Sequence, residues 1–352
     1  MRLVKRLLKI LLGLVGLLLV LFTVLVLLPE RETVPALQPR ASTQYWRMSH
    51  GFKIAYTHLQ GPAGVPQAPI VFLHGGPGGF VHSSSIGVFE KLAQSGHDVY
   101  LYDQAGSGLS DRLPRYSDIS FRTHLRDLNE IITEQIRAEK VILIGQSFGS
   151  ILAAHFSAYH PELVERIIFT SPGQLQPEAS DPPDSVGLSE RYPTPDSLEY
   201  LAPYDFVGDV NRAAMTPKAV VATTGALLFD RKFISDEQMD RMLNRLMSKI
   251  GRAAFCDTGD TPPEEGGMGL YAYIGTNNYS ELPDVRDQIR QLDLAVLVIQ
   301  GQCDFIPYSC AYEYVDLYRQ SRFVFIEDSG HLIWWEQPEK FVETIMAFLS
   351  ES

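Results

Sequence analysis

Cysteine and basic residues are scarce in this chain of 352 residues, and the scarcity excludes several classes of function. The three cysteines, Cys256, Cys303 and Cys310, are too few and wrongly spaced for a zinc-binding motif. Lysine and arginine number 30 against 42 aspartates and glutamates, so the net charge of −12 argues against nucleic-acid or anionic-lipid-surface binding by the folded domain. The sequence also lacks internal repeats, a P-loop signature and a dinucleotide-binding glycine fingerprint. The chemistry must therefore rest on other residues.

A long hydrophobic run lies at the N-terminus, from Leu7 to Leu28, and only Lys9 and Thr23 interrupt it. About 20 helical residues, at about 1.5 Å each, span the roughly 30 Å hydrocarbon core of a membrane. Basic residues precede the run and acidic residues follow it, which predicts a single-pass anchor with a cytoplasmic N-terminus and an extracytoplasmic domain. A signal peptide cleaved near residues 34–36 is the alternative, and the domain would then be secreted.

A serine flanked by glycines lies in Gly145–Gly149, between the apolar run Val141–Ile144 and the helix-compatible segment Ser150–Ala154. This is the pattern of a nucleophile elbow, a strained strand-to-helix turn that lifts a serine hydroxyl clear of a sheet. A side chain two residues to either side would collide with the neighbouring strand or helix. The following helix directs its N-terminal N–H groups at the reaction centre. The pattern predicts Ser147 as a nucleophile.

A serine nucleophile needs a base to accept its proton and a carboxylate to orient that base. After a nucleophile elbow the expected chain order is serine, acid, histidine. Asp304 follows the apolar strand Leu294–Ile299, and His331 follows the strand Phe323–Ile326. Catalytic groups of an open parallel sheet gather beyond the carboxyl ends of its strands. The sequence therefore predicts Asp304 as the acid and His331 as the base.

The acid and the base have other interpretations or rivals in the sequence. Asp304 is alternatively a turn residue, because aspartate is common in turns. Asp293 precedes its strand and would lie at the wrong end of the sheet, whereas Asp328 lies three residues before His331 in the same loop. No other histidine occurs after position 160, so the base has no competitor in the C-terminal half.

A glycine-rich loop, His74–Gly79, follows the buried strand predicted over Pro69–Leu73. Acyl transfer needs backbone donors aimed at the oxygen that becomes negative. Such donors lie on the residue after the nucleophile and on the loop after the third strand, which here are the N–H groups of Phe148 and Gly76. We predict that these two groups form an oxyanion hole and that His74 braces the loop. A phosphate-cradling loop is the alternative, but the required motifs are absent.

Three ordered motifs resemble those of proline iminopeptidase-type α/β-hydrolases: residues 74–79 (HGGPGG), 103–110 (DQAGSGLS) and 145–149 (GQSFG). The resemblance covers residues 46–172 and 286–352. It implies an α/β-hydrolase fold, with Ser147 as nucleophile, Asp304 as acid and His331 as base.

Two departures from the family pattern concern substrate specificity. Ala105 stands where the family usually has arginine, and Ile274–Tyr279 lacks the glutamate of the family's amine-binding cap segment. Three other cap residues, Glu264, Glu265 and Glu281, are candidates for binding a substrate amine. Most acidic residues simply face solvent, so this role competes with an ordinary surface role.

The alternation of strands and helices predicts an α/β fold, with a mostly parallel sheet covered by helices on both faces. We predict an anchor over residues 1–28, an extended linker over 29–45, and a hydrolase core over 46–172 and 286–352. Prolines cluster and β-type runs disappear after position 172, and helical spacing returns at Met239, Met242, Leu243 and Leu246. The segment 173–285 is therefore predicted to be an inserted helical cap over the active site, which would exclude water and select substrates.

The sequence as a whole predicts a serine hydrolase that forms an acyl-enzyme and acts on peptides or amino-acid amides. A carboxylic-ester hydrolase is the alternative, since the same groups cleave esters, and a catalytically inactive binding domain is a third possibility. The proposed chemistry requires no metal or organic cofactor. The expected partners are a small-molecule or short-peptide substrate and the lipid bilayer, with no nucleic acid. An extracytoplasmic domain permits a disulfide, and a Cys303–Cys310 bond would clamp the Asp304 loop.

Overall fold

The computed structural model describes residues 2–64, 67–175, 216–257, 259–276 and 283–351. Its first element is a helix, α1 (Arg2–Leu27), whose side chains from Val4 to Leu25 are exposed. The stretch Val4–Leu27 is long and apolar enough to cross a membrane, a property that N-terminal signal sequences share. The structure thus has a helix of the length that a membrane span requires.

An eight-stranded sheet lies at the centre of the domain. Its strands are β1 (Thr43–Arg47), β2 (Lys53–Leu59), β3 (Ile70–Leu73), β4 (Val99–Tyr102), β5 (Val141–Gln146), β6 (Val164–Thr170), β7 (Ala295–Gly301) and β8 (Gln320–Ile326). Their spatial order is β1-β2-β4-β3-β5-β6-β7-β8. The pairs β1–β2 and β2–β4 are antiparallel, and the other neighbours are parallel. The predicted mostly parallel sheet is confirmed.

Helices cover both faces of this sheet. They are α2 (Ile86–Ala93), α3 (Phe121–Glu130), α4 (Phe148–Tyr159), α5 (Pro217–Phe229), α6 (Asp236–Ile250), α7 (Leu270–Thr276), α8 (Arg286–Ile289), α9 (Tyr308–Leu317), α10 (Ile333–Glu336) and α11 (Pro338–Ser350). One apolar layer joins the sheet to α3, α4 and α9, and a second joins it to α2 and α11. Every residue of β3 and β5 is buried, as in strands covered on both faces. The predicted α/β fold class is confirmed.

Two elements differ from the sequence prediction. The apolar residues Phe121, Leu125, Leu128, Ile132 and Ile136 recur at helical spacing and predict a single helix over 121–136. The chain is α-helical only to Glu130 and continues as a π-helix over Ile131–Ile136. The wider turn suits the apolar spacing, because the last two steps, from Leu128 to Ile132 to Ile136, are both of four residues. Strand β1 was missed because its polar sequence gives no apolar run; antiparallel pairing with β2 holds it at the sheet edge.

The cap region holds α5, α6 and α7 in its described part. The helical spacing predicted around Met239 and Leu243 falls within α6, and both side chains are buried. Asp240 of α6 joins the cap to the core, because it accepts a hydrogen bond from Arg112 at 2.8 Å and another from the N–H of Leu270 at 3.0 Å. The prolines at 177–203 and the candidate Glu281 lie outside the described residues.

The segment that follows α1 differs from the expected extended linker. We call residues 28–37 the connecting segment. Val34 and Leu37 are buried, and Ala36 forms a β-bridge with Gly266 of the cap region. Glu30 accepts from Lys218 at 3.3 Å and from Arg245 at 2.7 Å. These contacts attach the connecting segment to the cap region at Glu30 and Ala36, while most of its residues are exposed.

Candidate active site

Ser147 lies at the sharp turn between β5 and α4. Its backbone φ is 54° and its ψ is −119°, a conformation that is unfavourable for a residue with a side chain and that occurs at functional sites. The N–H of Ser147 donates to the carbonyl of Thr170 at 3.0 Å, and its own carbonyl accepts from Ser150 at 3.0 Å. The turn is therefore held both by the neighbouring strand β6 and by the helix that follows.

Gly145 and Gly149 allow this turn to pack against the sheet. A Cβ on Gly149 would overlap the carbonyl oxygen of Leu73 on β3, and a Cβ on Gly145 would overlap the carbonyl of Gly149. No side chain can therefore replace hydrogen at either position without moving α4 away from the sheet.

His331 and Asp304 are hydrogen-bonded to each other. Nδ1 of His331 lies 2.8 Å from Oδ1 of Asp304, and the same oxygen accepts from the N–H of Ile306 at 2.9 Å. Asp304 is fully buried, while His331 borders the cavity described below. Because a carboxylate oxygen can only accept here, Nδ1 of His331 carries a proton, and Nε2 is the nitrogen that can accept one.

The glycine-rich loop lies against the serine. A Cβ on Gly75 would lie 2.9 Å from Cβ of Ser147. Gly76 has a φ of 129°, in a conformation that only glycine adopts readily. Phe148 is the first residue of α4 and directly follows Ser147. The two predicted oxyanion donors thus belong to a loop and a helix start that meet at the same serine.

His74 connects this loop to β4. Its Nδ1 lies 2.8 Å from the carbonyl of Gly75, and its Nε2 accepts from the N–H of Gln104 at 2.9 Å. Burial lowers the pKa of His74 to about 4, so the ring is neutral at pH 7. A neutral ring with both nitrogens occupied matches the bracing role expected for His74.

Asp103 braces the same loop from the other side. Its carboxylate accepts from the N–H of Val81 at 2.7 Å and from the N–H of Leu109 at 2.8 Å. Burial raises the pKa of Asp103 to about 6, against the opposite effect of these hydrogen bonds. A Cβ on Gly108 would overlap this carboxylate, so glycine is required there. The motif DQAGSGLS thus has a structural part in shaping the site.

A cavity of about 280 Å³ contains Ser147 and His331 in its wall. The cavity is mostly apolar, and part of its wall comes from the cap region and the connecting segment. The apolar side chains that line it are Val34, Phe72, Phe80, Met247, Ala254, Phe255, Met268, Leu332 and Trp334. Its size and apolar lining are those of a site for a small molecule.

Two of the three candidate amine-binding glutamates line this cavity. Glu265 accepts from the N–H of Ser83 at 2.8 Å and lies 3.2 Å from Nδ1 of His82. Glu264 accepts from the hydroxyl of Ser248 at 2.7 Å. Both carboxylates therefore already have partners, while the third candidate, Glu281, lies outside the described residues.

The disulfide differs from the one considered in the sequence analysis. Cys256 is bonded to Cys303 with a Cα–Cα distance of 5.2 Å, and Cys310 is free. The bond joins the segment after α6, within the cap region, to the residue directly before Asp304. Cys303 is bonded to Cys256 because the chain after α6 brings Cys256 to the acid loop, and Cys310 lies in α9.

Sequence reasoning missed Glu336, which organises the loop before His331. Its carboxylate accepts from Gly330 N–H at 2.6 Å, from Cys256 N–H at 2.8 Å and from Asp257 N–H at 3.1 Å. Burial raises the pKa of Glu336. No local signal marks this residue, because two of its three donors, Cys256 and Asp257, lie 80 and 79 positions earlier. In the described parts of the chain, no group of three histidine, cysteine or acidic side chains is arranged to hold a metal ion.

Comparisons with known proteins identify the family of this chain. The profile of the alpha/beta hydrolase fold family matches residues 68–338. A proline iminopeptidase of Saccharolobus solfataricus is 26% identical over 285 residues, which cover 80% of this chain and 84% of that protein. One of Heyndrickxia coagulans is 25% identical over 297 residues, which cover 80% of this chain and 90% of its own. An esterase from Exiguobacterium antarcticum matches with a TM-score of 0.57 at 17% identity, over 88% of this chain and 99% of the esterase, which bears on the fold alone.

Proposed function

The chain belongs to the α/β-hydrolase fold family, and from that premise we propose that it is a serine hydrolase that forms an acyl-enzyme on Ser147. It is a hydrolase by family membership. The observation that carries the finer proposal is the 2.8 Å hydrogen bond between His331 Nδ1 and Asp304 Oδ1, beside a cavity that Ser147 also lines. A nucleophile, a base and an orienting acid from three strand ends converge there.

In the proposed reaction, Nε2 of His331 takes the proton of the Ser147 hydroxyl while Oγ attacks the substrate carbonyl carbon. Asp304 holds the imidazole in the productive tautomer and stabilises the imidazolium that forms. His331 then donates its proton to the leaving amine or alcohol, and the bond from the carbonyl carbon to that group breaks. Water, deprotonated by His331, attacks the acyl-enzyme and releases the carboxylic acid, which restores Ser147.

The proposed oxyanion hole consists of the N–H groups of Gly76 and Phe148. Each would donate to the carbonyl oxygen as it becomes negative, and one such donor is worth about 3 kcal/mol of transition-state stabilisation. The hydrogen bonds of His74 and Asp103 support this part of the proposal, because they hold the chain around the glycine-rich loop in place. Backbone donors lower the activation barrier most when they are fixed before the reaction begins.

The substrate that we propose first is a peptide or amino-acid amide with a free N-terminus. The support comes from the proline iminopeptidases that are similar over four-fifths of this chain. Glu265 and Glu264 are the described acidic residues of the cavity wall and would attract a substrate ammonium group.

Ester hydrolysis is the second candidate, and the lining of the cavity favours it. Both glutamates already accept hydrogen bonds from Ser83 and Ser248, and the surrounding wall is mostly apolar. A carboxylic ester needs no amine partner and would bury its acyl chain against such a wall.

The machinery is tested on the full-length chain in detergent with p-nitrophenyl butyrate and alanine β-naphthylamide as substrates. Ser147→Ala should lower kcat by on the order of a millionfold, and Asp304→Asn by about 10⁴-fold. Asp328→Asn is the matched control, because it changes the rival acid of the His331 loop, and it should leave kcat unchanged. Retained turnover in Ser147→Ala would refute the proposed nucleophile.

The substrate class is tested by comparing alanine β-naphthylamide with its N-acetyl derivative. An aminopeptidase should cleave only the free amine, and Glu265→Gln should raise KM for that substrate without affecting the butyrate ester. Cleavage of the ester alone, with both amides untouched, would reject the peptidase in favour of the esterase.

We further propose that α1 remains attached as a membrane anchor, with the hydrolase domain outside the cytoplasm. Cleavage near residues 34–36 would remove Glu30 from Lys218 and Arg245 and would leave part of the cavity wall unformed, since Val34 lines it. The Cys256–Cys303 disulfide supports an oxidising compartment. The mass of the purified membrane-bound protein tests the anchor: a mature N-terminus near residue 37 would contradict it.

A further inference from the structure

An exposed apolar surface lies on helix α5 and the turn after it. We call this surface the α5 face; its residues are Val220, Leu227, Leu228, Phe229 and Phe233. Leu228 is 72% exposed, and Leu227, Phe229 and Phe233 are each more than half exposed. The opposite side of α5, which includes Ala219, Ala222 and Ala226, is buried in the domain. Large side chains thus point outward on a helix whose small residues face the core, which is the reverse of an ordinary surface helix.

The α5 face lies next to the place where α1 ends. Val26, in the last turn of α1, is partly buried, and α1 packs against α5. Lys218, in the first turn of α5, donates to the carbonyl of Leu28 and pairs with Glu30. The end of the membrane-anchor helix is therefore fixed to the start of α5.

The contact between the end of α1 and the start of α5 determines how deep the α5 face lies relative to a bilayer. A chain that leaves the membrane at Leu28 reaches the headgroup region at that point, and α5 begins there. At about 1.5 Å per residue, the 13 residues of α5 extend about 20 Å, too short to span a bilayer but suited to lying along its surface. Apart from Lys218, which is buried, α5 contains no charged residue, and the exposed Arg231 lies in the turn after it, where its guanidinium can reach the headgroups.

We propose that the α5 face is a second membrane contact, which inserts into the boundary between headgroups and acyl chains of the bilayer that α1 crosses. This inference rests on the proposed anchoring by α1. Continuity with α1 selects lipid as the occupant over a second copy of the chain, because an exposed apolar face beside a membrane helix meets lipid first. The phenyl rings of Phe229 and Phe233 lie 5.7 Å apart and form the bulkiest part of the face, as in interfacial helices that bind through apolar area.

The net charge of the chain shapes the expected binding. With a charge of −12, the protein gains little from anionic lipids. The contact made by the α5 face should therefore form on neutral phosphatidylcholine and should persist at high salt, because burial of apolar area drives it.

The test uses the full-length chain with Cys310→Ser, reconstituted in phosphatidylcholine nanodiscs. Single cysteines carry an environment-sensitive nitrobenzoxadiazole label at Leu228→Cys or Phe229→Cys. Leu17→Cys, in the middle of α1, reports on the anchor itself. Tyr159→Cys is the matched control, because Tyr159 is also exposed but ends α4 just before β6 begins, whereas the cap region follows the carboxyl end of β6.

Lipids with a spin label near the headgroup should remove most of the fluorescence at positions 228 and 229 and none at position 159, at low and at high salt. A label at 228 that behaves like the one at 159, while the label at 17 is quenched by lipids with a spin label near the end of the acyl chain, would overturn the inference and leave the anchor intact. Failure to quench position 17 would overturn both. Another outcome is a label at position 228 that is protected from iodide only at high protein concentration and is not quenched by the spin-labelled lipid. That result would assign the α5 face to contact with a second copy of the chain and overturn the lipid contact. Unchanged hydrolysis of p-nitrophenyl butyrate serves as the folding check for each labelled variant.

Discussion

At the residue scale, the buried histidine His74 makes the stability of the domain depend on pH. Burial lowers its folded-state pKa to about 4, whereas the unfolded chain titrates near 6.5. Between these pH values the unfolded chain binds a proton that the folded chain does not, so the free energy of unfolding falls as the pH is lowered from about 6.5 to about 4. The shift corresponds to a loss of about 3 kcal/mol from this residue.

The contribution of His74 is measured by urea unfolding in detergent micelles between pH 4 and pH 7.5. His74→Gln loses two hydrogen bonds and should be less stable than the original chain at pH 7, but the gap should shrink by about 3 kcal/mol at pH 4 because the variant has no ring to protonate. His160→Gln, which replaces a histidine at the surface, should give a curve parallel to that of the unchanged protein. Parallel curves for His74→Gln as well would contradict a neutral, buried His74.

At the scale of elements, the disulfide between Cys256 and Cys303 ties the cap region to the acid loop. Its two cysteines are 47 positions apart, and closing a loop of that length restricts the unfolded chain by about 4 kcal/mol on the chain-entropy model. The double variant Cys256→Ser/Cys303→Ser should therefore be less stable by about that amount. Its kcat should fall as well, because Cys303 directly precedes Asp304 and its N–H donates to Ser329 at 2.9 Å in the His331 loop.

Cys310→Ser is the control for this pair, since it removes the free cysteine of α9. It should match the unchanged protein in unfolding by urea and in hydrolysis of p-nitrophenyl butyrate. Equal stability of all three proteins would mean that the disulfide does not form or does not constrain the chain.

The same elements explain how far the sequence could predict the structure. Apolar runs with adjacent glycines are local signals, so the strands leading to Ser147, Asp304 and His331 could be placed, and the α/β class with them. The polar strand β1 gives no such run and was missed. Cys256 bonds to Cys303, and the N–H groups of Cys256 and Asp257 donate to Glu336, only because the chain near Cys256 returns to the core. No local sequence pattern predicts where that return occurs.

At the scale of the whole molecule, one short segment joins α1 to the hydrolase domain. The hydrophobicity of residues 7–28 predicts a membrane anchor, and the prolines after it predict an extended linker. The sequence does not predict that Glu30, Lys218 and Arg245 form ion pairs, because these residues are separated by up to 215 positions. In the structure they converge, and the side chain of Lys218 is only 4% exposed.

Because these three charges converge, we expect the attachment of α1 and the connecting segment to the cap region to depend on Glu30. Glu30→Gln would leave the Lys218 ammonium buried without its carboxylate, and removing one partner of a buried pair costs about 3 kcal/mol. The free energy of unfolding of the full-length chain in micelles should fall by that amount. Glu32→Gln is the matched control on the same segment: Glu32 lies 3.5 Å from Arg241 and is largely exposed, and exposed pairs contribute about 0.5 kcal/mol. If the two variants lost equal stability, the connecting segment would be a tether after all, and the level of the α5 face at the membrane would no longer be fixed by it.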